Sequence, residues 1–230
     1  MDRGLYIAAS GMLAEQIRQD QIANDLANAS TPGYKSDRTS QRTFGELLLA
    51  NSRTGQTVGP QSTAVQVDRI ETDFTPSPAR DTGEPLDFAI VGEGFFAVET
   101  ERGVRYTRNG QFAISPQGNL VTAQGDDVLD RSGRPIRAGA GGRVDADRIG
   151  VVALTNPAKE GESLVTGTPA GAATGQVRSG ALESSGADAA RAMVDMIASM
   201  RAFEAGQKVI QTIDDTLGKA VNNVGSVGAG

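Results

Sequence analysis

Residues 24–35 read Asn-Asp-Leu-Ala-Asn-Ala-Ser-Thr-Pro-Gly-Tyr-Lys, and this stretch predicts where the first element of the chain ends. Pro32 disfavours helical geometry at the residue before it, and Gly33 suits the turn that follows. The helix-ending turn is assigned to Thr31, Pro32, Gly33 and Tyr34. Upstream, a helix from about Asp2 to Ala29 is predicted from apolar or small residues at 3-4 spacing. These positions are Leu5, Ala8, Met12, Ile22 and Leu26.

A second helix is predicted near the C-terminus, starting at Ala189. Its residues alternate at spacings of four and three, which is the pattern of a coiled-coil seam. The seam consists of Met193, Met196, Met200, Phe203, Gln207, Ile210, Asp214 and Leu217. Neither helix has an apolar stripe rich enough to be stable alone in water, so each needs a partner helix. The spacing is compatible both with a hairpin of the two helices within one chain and with helices from neighbouring copies.

The residues between the helices have the pattern of β structure. Apolar residues alternate over 86–90, and Gly92-Glu93-Gly94 then bends the chain into another apolar run. Asn109-Gly110 lies between two alternating runs, which predicts a two-residue hairpin because both turn residues tolerate positive φ. Residues 115–118 (Ser-Pro-Gln-Gly) predict a further turn. Later strands are predicted at 149–154, 163–166 and 176–182.

These elements predict an α+β fold, with N- and C-terminal helices packed as a coiled-coil hairpin and a central, mainly antiparallel β domain. The predicted boundaries are 1–35 and 184–222 for the terminal helical domain, 36–78 for an extended linker, 79–183 for the β domain and 223–230 for a flexible tail. Within the linker, residues 44–50 are compatible with a short helix and residues 65–70 with a strand.

The composition argues against most catalytic chemistry. The 230 residues include no cysteine and no histidine, which excludes disulfides, thiol nucleophiles, metal sites built on either residue and the usual general base. Asp81, Glu84 and Asp87 are interpreted as solvated turn carboxylates, with a polysaccharide-cleaving acid pair as the alternative. No catalytic residue, metal ligand or cofactor is therefore predicted.

Charge and hydropathy argue against nucleic acid and membrane partners. The formal charge is −6 and the lysines and arginines are scattered, so no basic stripe is present to bind phosphates. No apolar run approaches the roughly 20 residues that cross a bilayer. Residues 4–14 weakly resemble the apolar region of a signal peptide, but only Arg3 precedes them and Asp2 cancels its charge. They are interpreted as part of a mature helix.

Residues 24–35 closely resemble the motif that closes the N-terminal helix of flagellar rod and hook proteins, with Asp25 in place of the family's second asparagine. Two further segments resemble the same family, at 85–112 and at 193–210. The three motifs occur in the family's order and span nearly the whole chain. The resemblance is closest to the rod proteins FlgF and FlgG. The first three residues favour FlgF and residues 8–12 favour FlgG, so the sequence leaves that choice open.

The resemblance implies a structural subunit of the flagellar basal-body rod that polymerises through its terminal helices into a helical tubular drive shaft, needed for flagellum assembly and motility. The implied partners are copies of itself, other rod or hook proteins and the flagellar export apparatus, with no nucleic acid and no membrane insertion. The implied location is the basal body, after export without a cleaved signal peptide. A soluble adaptor that binds one partner through acidic helices is the remaining alternative.

The same resemblance, together with the two helical patterns, assigns an assembly interface. Its expected residues are Leu5, Met12, Ile22, Leu26, Asn24, Asn28, Met193, Met196, Met200, Phe203, Ile210 and Leu217.

Overall fold

The computed structural model describes residues 2–50, 57–139 and 141–226, and these residues fold into two compact units. The helical unit comprises Met1–Asn24, Asp37–Glu71 and Ala190–Gly230. The β unit comprises Asp25–Ser36 and Thr72–Ala189. Two helices and a central antiparallel sheet confirm the predicted α+β class.

The helices begin and end close to their predicted boundaries. Helix α1 spans Asp2–Ala27, and helix α2 spans Ala189–Ser226. With its 38 residues, α2 is about 57 Å long. It continues four residues into the predicted flexible tail, and residues 227–230 lie outside the described residues.

The segment predicted as an extended linker contains two long strands. Strand β1 spans Asp37–Ala50 and pairs with β2, which spans Thr57–Thr72. The short helix considered for 44–50 is therefore wrong, and the strand predicted at 65–70 is confirmed. Pairing of the two backbones overrides the helical propensity of the leucines in 47–49, since β structure depends on cross-strand context.

The β unit is built around a seven-stranded sheet in the order β10-β11-β6-β5-β9-β8-β7. Its strands and their neighbours are β3 (Ala79–Asp81), β4 (Phe88–Val91), β5 (Phe95–Thr100), β6 (Gly103–Thr107), β7 (Ala113–Ile114), β8 (Leu120–Val121), β9 (Asp127–Val128), β10 (Val151–Glu160), β11 (Leu164–Ala172), β12 (Gln176–Ser179) and β13 (Ala181–Glu183). Because β10 also pairs with β5, the strands β5, β6, β11 and β10 form a closed circle of antiparallel pairs. Strand β12 pairs with β4, and β13 pairs with β3.

The hairpin predicted at Asn109-Gly110 is wrong. Strand β6 before it pairs with β5 and β11, whereas β7 after it pairs with β8. Gly110 serves a different purpose, because a Cβ there would lie 1.7 Å from the backbone oxygen of Phe88. The Phe88 amide donates to the Gly110 carbonyl over 3.0 Å, so only a glycine lets the two backbones approach. The turn predicted at 115–118 is confirmed, since it joins β7 to β8.

The core of the β unit lies between the sheet and the loops that cover it. Its buried apolar residues are Phe88, Ile90, Phe96, Val98, Phe112, Leu120, Val128, Ile136, Val144 and Ile149. The Phe96 and Phe112 rings meet edge to face, with centroids 5.3 Å apart. These residues form one continuous apolar cluster within the β unit.

Candidate functional site

Helix α2 has a row of buried or half-buried residues, which we call the inward seam. Every second residue of this row lies one position before the corresponding residue of the predicted seam. The buried or half-buried seam residues are Ala192, Met196, Ser199, Phe203, Gly206, Ile210, Ile213 and Leu217. They follow an unbroken 4-3 alternation. Met196, Phe203, Ile210 and Leu217 belong to both seams. The other four seam positions are occupied by Ala, Ser, Gly and Ile, one residue before the predicted Met193, Met200, Gln207 and Asp214.

The small residues of this seam face α1. The Ser199 hydroxyl donates to the Glu15 carboxylate Oε2 over 2.6 Å. A Cβ on Gly206 would lie 2.7 Å from Met12 Cγ, so the glycine admits the methionine. A Cβ on Gly4 would lie 3.4 Å from Ile213 Cδ1. Residue numbers rise along α1 as they fall along α2, so these contacts are antiparallel.

The predicted interface residues on α1 and its end fall into different environments. Ile22 and Asn28 are buried, Leu5, Met12 and Leu26 are half-buried, and Asn24 is exposed. Strands β1 and β2 contact α1 as well. The Val65 amide donates to Ser10 Oγ over 3.3 Å, and the Gln21 side chain bonds Thr39 and the backbone of Asp37.

Several large apolar side chains on the helices are exposed. They are Tyr6 and Leu13 on α1 and Met193, Val194, Ile197, Met200, Val209 and Val221 on α2. Met193 and Met200 are both 52% exposed, although the sequence placed them in the seam. Met193, Ile197 and Met200 follow 4-3 spacing and form a second stripe, displaced from the inward seam by one residue. Such a row on a helix is characteristic of a surface that another helix covers.

The second half of the helix-ending turn, Gly33 and Tyr34, is buried in the β unit together with Lys35. Tyr34 and Lys35 are 0% and 3% exposed. Gly33 adopts φ +66°, and a Cβ on it would lie 2.4 Å from the backbone carbon of Arg108. The Tyr34 hydroxyl donates to Asp25 Oδ1 over 2.8 Å, and Thr31 Oγ1 donates to Asn28 Oδ1 over 3.1 Å. The predicted turn is thus a packed element of the structure.

A buried carboxylate organises this region. Glu183, 1% exposed, accepts at Oε1 from Lys35 Nζ over 2.7 Å and from the Ser77 amide over 2.8 Å. Its Oε2 accepts from Arg108 Nη1 over 3.1 Å. Arg108, 2% exposed, also donates to the Gly92 carbonyl and lies over the Phe95 ring at 5.2 Å. We call Lys35, Arg108 and Glu183 the ion triad.

Burial lowers the pKa of the Lys35 ammonium below its ordinary value of 10.5, while the charge and hydrogen bond of Glu183 oppose that decrease. Lys159 adds a further cation nearby. Its Nζ donates to the Lys35 carbonyl over 2.8 Å and lies 4.0 Å from the centroid of the Tyr34 ring. The triad therefore acts as a structural tie, meaning that it joins the segments that contain Lys35, Arg108 and Glu183. Each buried charge is compensated only while all three segments remain in place.

Sequence reasoning missed Arg108, Lys159 and Glu183. Their ionic and hydrogen-bonding partners lie 75 to 148 residues away along the chain, except for Gly92, so no local pattern pairs them. Lys35 stood within the quoted motif but was assigned no role. Asp81, considered for an acid pair, is exposed and forms an ion pair with Arg178 at 2.7 Å, whereas Asp87 is buried.

Three family descriptions match this chain in order. Residues 5–35 match the flagella basal body rod protein family, residues 89–155 the D1 domain of the flagellar hook proteins FlgE/F/G, and residues 178–223 the C-terminal region of the flagellar basal body rod proteins FlgEFG. The chain is also 33% identical to the flagellar basal-body rod protein FlgG of Bacillus subtilis, over 96% of this chain and 99% of that protein. The chain belongs to the flagellar basal-body rod protein family.

Relatives named FlgF are about as similar to this chain as the relative named FlgG. The flagellar basal-body rod protein FlgF of Escherichia coli is 33% identical, over 96% of this chain and 97% of its own. FlgF of Caulobacter vibrioides is 31% identical over 99% of this chain and 100% of its own. Proteins of this rod family are structural and not enzymes, as the sequence predicts. In the part of the chain that the structure describes, no helix is long and apolar enough to cross a membrane.

Proposed function

We propose that this chain is a structural subunit of the bacterial flagellar basal-body rod, and that it polymerises through its terminal helices into a helical tube that serves as a drive shaft. The observation that carries this proposal is the second apolar stripe on α2, formed by Met193, Ile197 and Met200 and not used by the inward seam. Exposed apolar rows on both helices supply a surface for neighbouring subunits. Contacts of this kind that do not close on themselves generate a helical polymer.

The two helices act as a coiled-coil hairpin in this proposal. The 4-3 alternation of the inward seam and the antiparallel contacts of Glu15 with Ser199 and of Met12 with Gly206 support that packing. The seam residues then build the hairpin, and the predicted interface divides into two groups. Met193 and Met200 contact neighbouring subunits, whereas Met196, Phe203, Ile210 and Leu217 join the helices of one subunit.

The partners are further copies of this chain and other rod or hook proteins, at the basal body. Export proceeds through the flagellar export apparatus without a cleaved signal, as the family resemblance implies. In this proposal the terminal helices α1 and α2 form the axial region of the rod. The protein is therefore required for flagellum assembly and motility.

Charged substitutions in the exposed stripe test the proposal. Met193→Asp and Met200→Asp each place a carboxylate where a neighbouring helix packs, so both should abolish motility and remove the rod from purified basal bodies. Thr212→Asp is the matched control, because it adds the same charge at an exposed polar position of the same helix that lies outside both the inward seam and the register of the stripe. The variants are expressed in a strain that lacks the wild-type protein, and export is checked in each. Normal motility with both methionine variants would contradict the proposal.

A further inference from the structure

The last turn of α1 belongs to the β unit rather than to the rest of its helix. The division between the units falls at Asn24 and Asp25, so that Asp25–Ser36 clusters with the strands. The Tyr34 hydroxyl holds this turn through its 2.8 Å bond to Asp25, and Tyr34 itself is completely buried. A helix end fixed in this way is unusual, because helix termini ordinarily fray.

The same turn is joined to the segment that leads into α2. The Gly33 amide donates to the Glu183 carbonyl over 2.9 Å, and the Gly186 amide donates to the Tyr34 carbonyl over 2.8 Å. Ser185 Oγ donates to the Asn28 carbonyl over 2.9 Å. The end of α1 and the beginning of α2 are therefore held side by side by contacts that lie wholly within the β unit.

The ion triad makes this junction part of the β core. A carboxylate removed from water carries a large desolvation cost, which is offset only by its charged and hydrogen-bonded partners. Glu183 takes those partners from three separate segments, at Lys35, Ser77 and Arg108. Loss of the turn would leave the buried Glu183 carboxylate with one cation fewer, so the turn and the β unit form together.

The remaining parts of the helices lack such support in a single chain. Along α1 from Gly4 to Asn24 and along α2 from Ala190 to Asn222, the buried apolar side chains are Ala14, Ile22 and Ala192. The first turn of a helix is costly to form, and later turns add to it at little cost. A preformed last turn at Asp25–Ala27 supplies that nucleus at the C-terminal end of α1.

We infer that the turn Asn28–Lys35 and the last turn of α1 are folded with the β unit in a single unassembled subunit, and that this junction is the nucleus from which α1 grows toward its N-terminus. The inference does not depend on polymerisation, because every contact that carries it lies within one unit of one chain. It assigns Glu183 as the residue that positions the junction.

Hydrogen–deuterium exchange on the full-length protein, at a concentration where light scattering shows monomers, tests this inference. Peptides covering 25–35 should exchange at least about tenfold more slowly than peptides covering 4–20, and protection should decrease from Asp25 toward the N-terminus. Glu183→Gln should accelerate exchange over 25–35 by about tenfold or more, while Glu101→Gln, at an exposed carboxylate of the same unit, leaves it unchanged.

If Glu183→Gln unfolds the whole β unit, Tyr34→Phe provides the test instead. Tyr34→Phe keeps the ring and its contact with Lys159 but removes the hydroxyl that bonds Asp25. It should accelerate exchange at 25–28 while strand β5 stays protected. Wild-type exchange over 25–35 as fast as over 4–20 would overturn the inference. Unchanged protection at 25–28 in Tyr34→Phe would contradict the inference that the end of α1 is the nucleus of helix formation.

Discussion

The β unit and the helical unit bury different kinds of side chain. In the β unit, Phe88, Phe96, Leu120 and Ile149 are completely buried within one apolar cluster. In the helical unit, Ser199 and Ala14 are buried while Met193 and Met200 are half exposed. A unit whose largest apolar side chains point inward is stable alone, whereas a unit that leaves them outside depends on neighbours. We therefore expect the β unit to fold without neighbouring subunits and the helical unit to depend on them.

The largest expected difference in stability is between alanine substitutions of two phenylalanines, one in each unit. Phe96→Ala removes a completely buried ring that packs on Phe112, and should lower the free energy of unfolding of the β unit by about 3–5 kcal/mol. Phe203→Ala, at a half-buried position of α2, should leave the β unit unchanged. The two free energies of unfolding are measured by urea unfolding of the unassembled protein, followed by the far-ultraviolet circular dichroism signal of the β structure. An equal loss from both changes would mean that the units are not independent.

Two carboxylates of the β unit, each with two cationic partners, compare completely buried ion pairs with partly exposed ones. Glu183→Gln should cost about 3 kcal/mol, because Lys35 and Arg108 stay buried without their counter-charge. Glu160→Gln removes the partner of Arg102 and Arg105, but Glu160 is 25% exposed and water partly replaces the lost contacts, so the change should cost only about 1 kcal/mol. Urea midpoints of the two variants provide the measurement. A similar small loss in both would show that the triad is not a structural tie.

Two glycine substitutions contrast the packed turn with the exposed helix. Gly33→Ala should destabilise the β unit by about 2 kcal/mol or more, because φ is +66° and the new methyl group meets the Arg108 backbone. Gly218→Ala meets nothing within 4 Å in α2 and should stabilise the helix by about 1 kcal/mol. Thermal melts measure the first variant, and helical content by circular dichroism the second. Destabilisation of α2 by Gly218→Ala would argue against an exposed position there.

The smallest expected effect is an acid-dependent one at the surface of the β unit. Hydrogen bonds from the backbone amides of Arg134 and Ser132 lower the pKa of the Asp130 carboxyl below its ordinary 3.8. This stabilisation is present above pH 3.8 and is lost as the pH falls through the lowered pKa, because the unfolded state then binds more protons. Asp130→Asn should flatten the acid limb of stability against pH slightly. An unchanged acid limb would contradict that assignment.

The fold could be predicted wherever a local pattern carries it. Alternating apolar residues gave the strands, and Pro32 with Gly33 gave the end of α1. The hairpin at Asn109-Gly110 failed because Gly110 is required by the close approach of Phe88 from another strand, which is a tertiary contact. Strand β1 was missed and β2 was predicted only over 65–70, because each of these long strands is stabilised by pairing with the other.

The candidate site could be predicted only in part, for two physical reasons. Apolar periodicity identifies large side chains, so it selected Met193 and Met200 for the seam. The seam in the structure uses Ser199 and Gly206, whose small size admits Glu15 and Met12 from α1. The ion triad depends on residues far apart in sequence, and periodicity contains no information on such pairs.

Cryo-electron microscopy of the assembled rod, with the density of this subunit resolved to side chains, would show whether neighbouring subunits pack on the exposed stripe of α2. We expect Met193 and Met200 to contact a helix of a neighbouring subunit, while Ser199 and Gly206 face α1 of their own chain. Polymerisation through the terminal helices would be contradicted if both methionines faced solvent and the β units made all of the contacts between subunits.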